Sequence, residues 1–362
     1  MEGVTYMFLA INEIKHSLFR YFLVTGVMFL IAYLVFFLTG LAYGLAEDNR
    51  TAIDKWEADS IILSKVSNEN LNMSMIPPEN FEQIKSTDKA QLRQTPNIIS
   101  KSGNSETINV AFFGIDPSEF LTPNIIEGHL FKEKNEAVLD QSLKELNNIN
   151  IGDTLKLSGS TAKIKVVGFT DDAKYNISPV IFVSMDTFKT VKLKNDSSLK
   201  NVNLPLNAIV TRGKPQDVPS TLKTIPIKTY IQNLPGYNAQ VLTFGFMIGF
   251  LILIAAIVIG IFIYVLTMQK IDILGVMKAQ GVSNRYISFS IVCQTFILSI
   301  TGVGTGMLLT FLTSLVLPKK VPFAINPSFY LVIGFLMVIF ALIGALSSVK
   351  SIVKIDPLEA IG

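Results

Sequence analysis

The sequence is poor in the residues that do chemistry. It has one cysteine, Cys293, which excludes an intrachain disulfide and any cysteine-built metal site. It has two histidines, His16 and His129, and neither sits in a pattern that supplies several zinc ligands or the base of a serine or cysteine hydrolase. No G-x-x-x-x-G-K-[ST] occurs, so the loop that cradles phosphate in P-loop ATPases is missing. The glycine-rich stretch Gly302–Met307 lies inside an apolar run and carries no lysine. Asp171 and Asp172 adjoin each other but read as solvated loop charges. No catalytic residue, metal site or intrinsic cofactor follows from the residues. Charge is scarce as well: 16% of residues are charged, against roughly 25% in a typical soluble domain. The net charge is only +3, and no basic run with interleaved aromatics points to nucleic acid.

What the chain does have is apolar length, with 49% hydrophobic residues. Four stretches carry no charge: Tyr21–Ala46, Thr229–Gln269 (apolar from Val241), Tyr286–Pro318 and Val321–Val349. Each exceeds the roughly 20 residues needed to cross a bilayer. The first is too long for a signal-peptide core and has no clean A-x-A site after it, so it reads as a retained span. The charges crowd into residues 47–228 instead. The expected architecture is an α-helical membrane protein with four transmembrane helices and a mixed α/β extracytoplasmic domain inserted between the first and the second. The expected boundaries are an amphipathic segment at 1–17, spans at 18–46, 239–269, 286–317 and 327–349, the inserted domain at 47–238, a loop or helix at 270–285, a short loop at 318–326 and a tail at 350–362.

Lysine and arginine set the orientation. Lys15, Arg20, Lys270, Lys278, Arg285, Lys350 and Lys354 all fall on one side, against Lys319 and Lys320 on the other. Both termini are therefore expected in the cytoplasm and the inserted domain outside. Tyr6–Ser17 has apolar residues at roughly helical spacing and should lie along the inner membrane surface. Within the inserted domain, Ala137–Leu146 reads as a strand running into a helix. Thr154–Leu157, Ala162–Gly168 and Pro179–Val183 read as strands. Helical or loop material surrounds Pro77–Thr87.

Between the second and third spans, Ile271, Leu274, Met277 and, less neatly, Val276 form one face of a short helix, and Gly281 stops it. Such a helix is a lever that a soluble ATP-hydrolysing partner can push; a plain membrane-surface helix is the alternative. Gly40 and Gly44 form one G-x-x-x-G, and Gly245 and Gly249 another. Small residues let helices approach closely, so the four glycines mark close helix contacts, and the homodimer implied by the family resemblance given below would make them candidates for an interface between two copies of the chain. The other reading is packing within one copy.

Several motifs now fall in order. Gln269–Arg285, with its Gln-Lys-Ile-Asp-Ile-Leu-Gly-Val-Met-Lys-Ala-Gln-Gly core, resembles the coupling segment of the FtsX/MacB-type (type VII) ABC transporter permeases. The ending Lys354-Ile-Asp-Pro-Leu-Glu-Ala-Ile-Gly362 resembles their closing motif. Glu127-Gly-His-Leu-Phe, Glu136-Ala-Val-Leu-Asp, Ile151-Gly-Asp-Thr-Leu-Lys-Leu and Val167-Gly resemble their extracytoplasmic core domain. Gln280 and Asp272 depart from the usual residues, and Asp272 keeps the charge. The resemblance implies a permease in a bacterial cytoplasmic membrane. It implies a homodimer with two copies of a separate ATPase that uses the ATP. Lys270, Asp272, Leu274, Met277, Lys278 and Gly281 would then couple the two proteins.

Phe19-Arg-Tyr, Leu38-Thr-Gly-Leu-Ala-Tyr-Gly-Leu and Tyr264-Val-Leu-Thr-Met-Gln-Lys-Ile are similar to the haem-exporting branch of that family. Haem would then be a transported substrate expelled from the membrane by mechanotransmission. Its iron would accept a tyrosine oxygen, a histidine nitrogen or a methionine sulfur. Tyr43 and Glu47 share a helical face near the end of the first span, with Phe37 beside them. Tyr175, Met73 and Met75 are further ligand candidates, and Arg212 could pair with a propionate. Two readings stay open beside this one. The cargo could be an antimicrobial peptide, lipid or lipoprotein, or the chain could be an FtsX-like signal transmitter that controls a cell-wall hydrolase.

Overall fold

A computed structural model describes residues 11–102, 106–194 and 203–353, apart from the side chains of residues 271, 272, 274 and 347–353. The described chain forms two compact units. One holds the residues up to Gly44 and those from Leu242 onward; the other is Leu45–Val241.

The first unit is built on four long helices, Leu18–Asp48, Tyr237–Met268, Asn284–Val316 and Pro327–Val353. All four are long and apolar enough to cross a membrane. The first three have 31, 32 and 33 residues, more than the roughly 20 that span the hydrocarbon, which leaves turns to tilt or stand clear of it. Each helix buries one stripe at spacings of three and four residues, the period of an α-helical face. On the first the stripe runs Tyr21, Val24, Met28, Ala32, Val35; on the fourth it runs Tyr330, Ile333, Met337, Ala341, Ala345. Small residues decide how closely the first and third helices pack. A Cβ on Gly302 would lie 2.6 Å from Met28 Cγ, and one on Gly306 would lie 2.8 Å from Tyr33 N.

Residues 11–16 are helical, and Ile14 packs against the bundle core. The rest of the amphipathic segment, residues 1–10, and the closing motif 354–362 lie outside the described residues. Ser283 starts the third long helix by accepting a hydrogen bond from Tyr286 N at 3.2 Å, an ordinary N-cap.

The second unit is a mixed sheet with helices on its faces. Its strands are β1 (Ser60–Ser64), β2 (Asp88–Lys101), β3 (Ile108–Ile115), β4 (Glu127–Gly128), β5 (Glu136–Asp140), β6 (Thr154–Leu157), β7 (Lys163–Thr170), β8 (Lys174–Tyr175), β9 (Ser178–Ser184), β10 (Ala208–Arg212) and β11 (Leu222–Pro226). The order is β11-β1-β10-β2-β3-β9-β5-β7-β4, with β6 on β2 and β7, and β8 on β9. The β3–β9 and β5–β7 pairs are parallel. Alternate residues feed two cores, as the pleat requires. Ile61, Leu63, Phe113, Val138 and Phe182 join one cluster. Phe112, Leu139, Ile181 and Val183 join another on the opposite face, with Ile62 in a third. Both faces are covered, so β1 and β5 are buried at every position and read as continuous rather than alternating runs.

Candidate functional site

Two places in the bundle concentrate polar or aromatic groups. The first surrounds Lys270, which begins the short helix Ile271–Ala279. Its ammonium is turned back into the bundle. It lies 3.4 Å from the Glu13 carboxylate and donates to the Tyr21 hydroxyl at 3.1 Å. Tyr21 in turn donates to Gln294 Oε1 at 3.1 Å, and the Gln294 amide donates to Glu13. Four segments meet here, and the ring closes on itself. The side chains of Lys270 and Glu13 are only 17% and 22% exposed, so each charge depends on the other for solvation. A cavity of about 20 Å³ adjoins the ring, lined also by Ser290, whose buried hydroxyl has no partner among the described residues.

The short helix ends where the sequence predicts. Gly281 has φ +90°; its N–H bonds to Lys278 O at 2.9 Å and that of Val282 bonds to Met277 O at 3.0 Å. This pair of bonds is the Schellman arrangement, which satisfies the last carbonyls of a helix. Met277 and Val282 both pack on the bundle core. Among the described side chains of this helix, Ile273 and Val276 are the apolar ones facing out, 62% and 45% exposed. Ile273 went unnoticed in the sequence, although Ile273 and Val276 stand one turn apart. Lys278 is half-buried; the side chains of Asp272 and Leu274 lie outside the described ones.

The second place is aromatic. Phe36 is fully buried and stacks on Tyr330 at 5.3 Å, whose hydroxyl donates to Phe36 O at 2.9 Å. Phe37, half-buried, lies between Tyr33 at 5.9 Å and Phe323 at 5.5 Å. Tyr43 accepts a hydrogen bond from Asn326 Nδ2 at 3.0 Å. Glu47, half-buried in the last turn of the same helix, has no ion pair among the described residues.

The four glycines divide. A Cβ on Gly40 would lie 2.3 Å from Phe323 Cζ, and one on Gly44 would lie 2.5 Å from Pro322 O. Ala324 N also bonds to Gly40 O at 3.1 Å. These two glycines make room for a loop of their own chain, which corrects the expectation that they face a second copy. A Cβ on Gly245 or Gly249 would have nothing within 4 Å among the described residues, so their face of the second span is open to them.

In the inserted domain the predicted ligand residues do not converge. Tyr175 is a core residue, only 3% exposed. Its hydroxyl meets that of Tyr230 at 3.1 Å, and burial pushes its pKa up to about 12. A sealed phenol is not open to a ligand, which corrects its reading as one. Met73 and Met75 are 66% and 67% exposed, and Met75 lies beside Ser64 at one end of β1. Arg212 pairs with the neighbourhood of Ser60 at the other end, roughly 13 Å away at the rise of a strand. No single small ligand headgroup is held by all three. Among the described residues, no group of three or more histidine, cysteine, aspartate and glutamate side chains is placed to hold a metal ion.

A four-helix membrane bundle, an α/β domain inserted after its first helix and a capped short helix between its second and third together define a multi-pass permease. The comparisons agree. Residues 22–223, more than half of the chain, match the MacB-like periplasmic core domain, and residues 245–357 match the FtsX-like permease C-terminal domain. The chain belongs to this family of ABC transporter permeases. It is 28% identical over 357 residues to HrtB of Staphylococcus epidermidis, assigned as a hemin transport system permease protein, covering 98% of this chain and 99% of that one. The HrtB of Staphylococcus haemolyticus is similar to the same degree, 28% over 364 residues with the same coverage. The solved extracellular domain of the ABC-type transporter YknZ from Gram-positive bacteria covers 46% of this chain and 99% of its own at 11% identity, with a TM-score of 0.33, too weak a likeness to carry an argument.

Proposed function

We propose that the chain is the membrane subunit of an exporter that expels haem, or a haem-like amphipathic porphyrin, from a bacterial cytoplasmic membrane, driven by a separate ATPase. One observation carries the mechanical part. Lys270, the residue that opens the short helix, also ties together residue 13, the first span and the third span through Glu13, Tyr21 and Gln294. A push on that helix is therefore passed to three other segments through directional bonds. Under this reading the helix is cytoplasmic, Ile273 and Val276 meet the ATPase, and Lys270 works behind that surface. Two copies of the chain would meet two ATPase subunits, with Gly245 and Gly249 at the contact between copies.

The cargo rests on the likeness to HrtB along the whole chain. Haem is flat and largely apolar, so it enters from the bilayer, and the half-buried rings beside Phe37 offer it a matching surface. Of the two candidate tyrosines, Tyr43 lies outside a sealed core, one turn before Glu47, and Tyr175, 3% exposed, is withdrawn. ATP-driven movement at the Lys270 end would shift the aromatic end and release the cargo without an aqueous channel.

The test is titration of the purified chain with haem, read by the Soret band, alongside Tyr43→Ala and Glu47→Ala. A saturable, stoichiometric shift that weakens in both variants is expected. Binding retained in both would move the site. No specific binding would turn the cargo to a peptide, lipid or lipoprotein, or the chain to a transmitter acting on a cell-wall hydrolase.

A further inference from the structure

The inserted domain holds a cavity of about 420 Å³ that the export reading leaves unused. That volume is within the range of small-molecule sites. Its buried wall is apolar, from Ala52, Trp56, Leu121, Ala173 and Phe182.

Polar and charged residues make up the other half of the lining, and among them Arg212 is the cation placed to take an anion. Arg212 is held rigidly: its Nε and Nη2 both donate to Trp56 O, at 3.3 and 2.8 Å. Phe120 lies against the flat of the guanidinium, 4.4 Å from ring centre to Cζ. Those contacts use one edge and one face. Among the described residues, Glu57 is the one carboxylate paired with it, at 3.9 Å and 83% exposed, too far for a hydrogen bond and well solvated. The other cation of the rim, Lys55, is already engaged with Asp171 at 2.7 Å. A guanidinium fixed at its back and open at its other edge is the geometry that takes a carboxylate through paired N–H bonds.

We infer that this cavity is a binding site for a small carboxylate with a flat apolar body, its carboxylate on the free edge of Arg212 and its body against Trp56 and Phe182. None of its residues belongs to the aromatic end of the bundle, and Arg212, a propionate candidate in the haem reading, is the residue the two readings share.

Trp56 is the only tryptophan in the chain and lines the cavity, so its fluorescence reports on this place alone. The full chain in detergent is titrated with phenylbutyrate and with the uncharged phenylbutyramide. The acid is expected to change Trp56 emission saturably, and the amide to bind about tenfold more weakly, the scale of one charge-assisted hydrogen bond. Arg212→Gln should lose that discrimination. Arg212→Lys, which keeps the charge and loses the planar fork, guards against a folding defect in the glutamine variant; it should bind more weakly than the native chain. A non-saturable change, equal binding of acid and amide, or unchanged binding in Arg212→Gln would each overturn the inference.

Discussion

One end of the helical bundle is held by charge and the other by rings. At the Lys270 end, a closed circuit of Glu13, Lys270, Tyr21 and Gln294 joins four segments through bonds that tolerate little change in distance or angle. At the Phe36 end, Tyr33, Phe37, Phe323 and Tyr330 pack at centroid distances between 5.3 and 5.9 Å, two pairs stacked and one tilted. Ring contacts have broad, shallow minima. The first arrangement moves as one piece; the second can slide and re-form. Under the export mechanism proposed above, one end takes the push and the other lets the cargo go, and this division suits both.

The contrast breaks most severely at Lys270. Lys270→Met leaves the Glu13 carboxylate without its cation in a place where it is only 22% exposed. The expected loss is roughly 3 kcal/mol, read as a fall in the melting temperature of the purified chain. Glu13→Gln combined with Lys270→Met should recover much of it, because the stranded charge is gone. If the single variant melts like the native chain, the circuit is not what holds this end together.

The glycines give the next effect. A side chain at Gly44 meets the Pro322 carbonyl, a backbone group that cannot step aside. Gly44→Leu should cost about 2 kcal/mol or more through overpacking. A Cβ at Gly249 has no neighbour within 4 Å among the described residues, so in Gly249→Leu the bundle should melt normally while self-association in detergent, measured by light scattering, changes. Equal destabilisation by both would remove the distinction between packed and open glycines. Smaller again is Tyr330→Phe, which leaves the stacked ring and deletes one hydrogen bond to Phe36 O. About 1 kcal/mol is expected, and a much larger loss would mean that the aromatic end is as rigid as the other.

The spans were legible because a helix in a bilayer is specified by local composition: Tyr21–Ala46 and Tyr286–Pro318 announce themselves by what they omit. Strands such as Thr154–Leu157 and Pro179–Val183 were legible for a similar reason. The long strand β2 was not. It contains Pro96, which argues against a central strand. The structure accommodates it because β10 pairs with residues 88–92 and β6 with 99–101 on one flank, and Pro96 falls in the gap between them. The site was read less well. Lys270 follows an apolar span and looks like a surface charge; its inward turn depends on Glu13 and Gln294, which are distant in sequence. Gly40 and Gly44 carry a motif that says a close neighbour exists, not which one. Tyr175 likewise looks free until Tyr230, 55 residues away, closes over it.

The inserted domain offers the finest of these tests, through one carboxyl that resists ionisation. Glu119 is pushed up to about 7, mainly by burial and also by Asp116, against the donated Gln91 N–H and Lys89. In the unfolded chain it would ionise near the ordinary value of 4.5. Between those values the folded domain holds a proton that the unfolded chain has released. Its contribution to stability is therefore complete below about 4.5 and is lost as pH rises through about 7. Glu136 has the opposite sign: the backbone N–H groups of Glu133 and Lys132 hold its pKa below the ordinary value, so its contribution is lost on acidification. Glu119→Gln keeps an acceptor for Gln91 N and removes the titration. Denaturant melts of the full chain, followed by Trp56 within the inserted domain, should show native stability declining from acidic to mildly alkaline pH and the variant declining less. Parallel pH profiles would mean that Glu119 is ionised in the folded domain and that its burial is relieved by solvent.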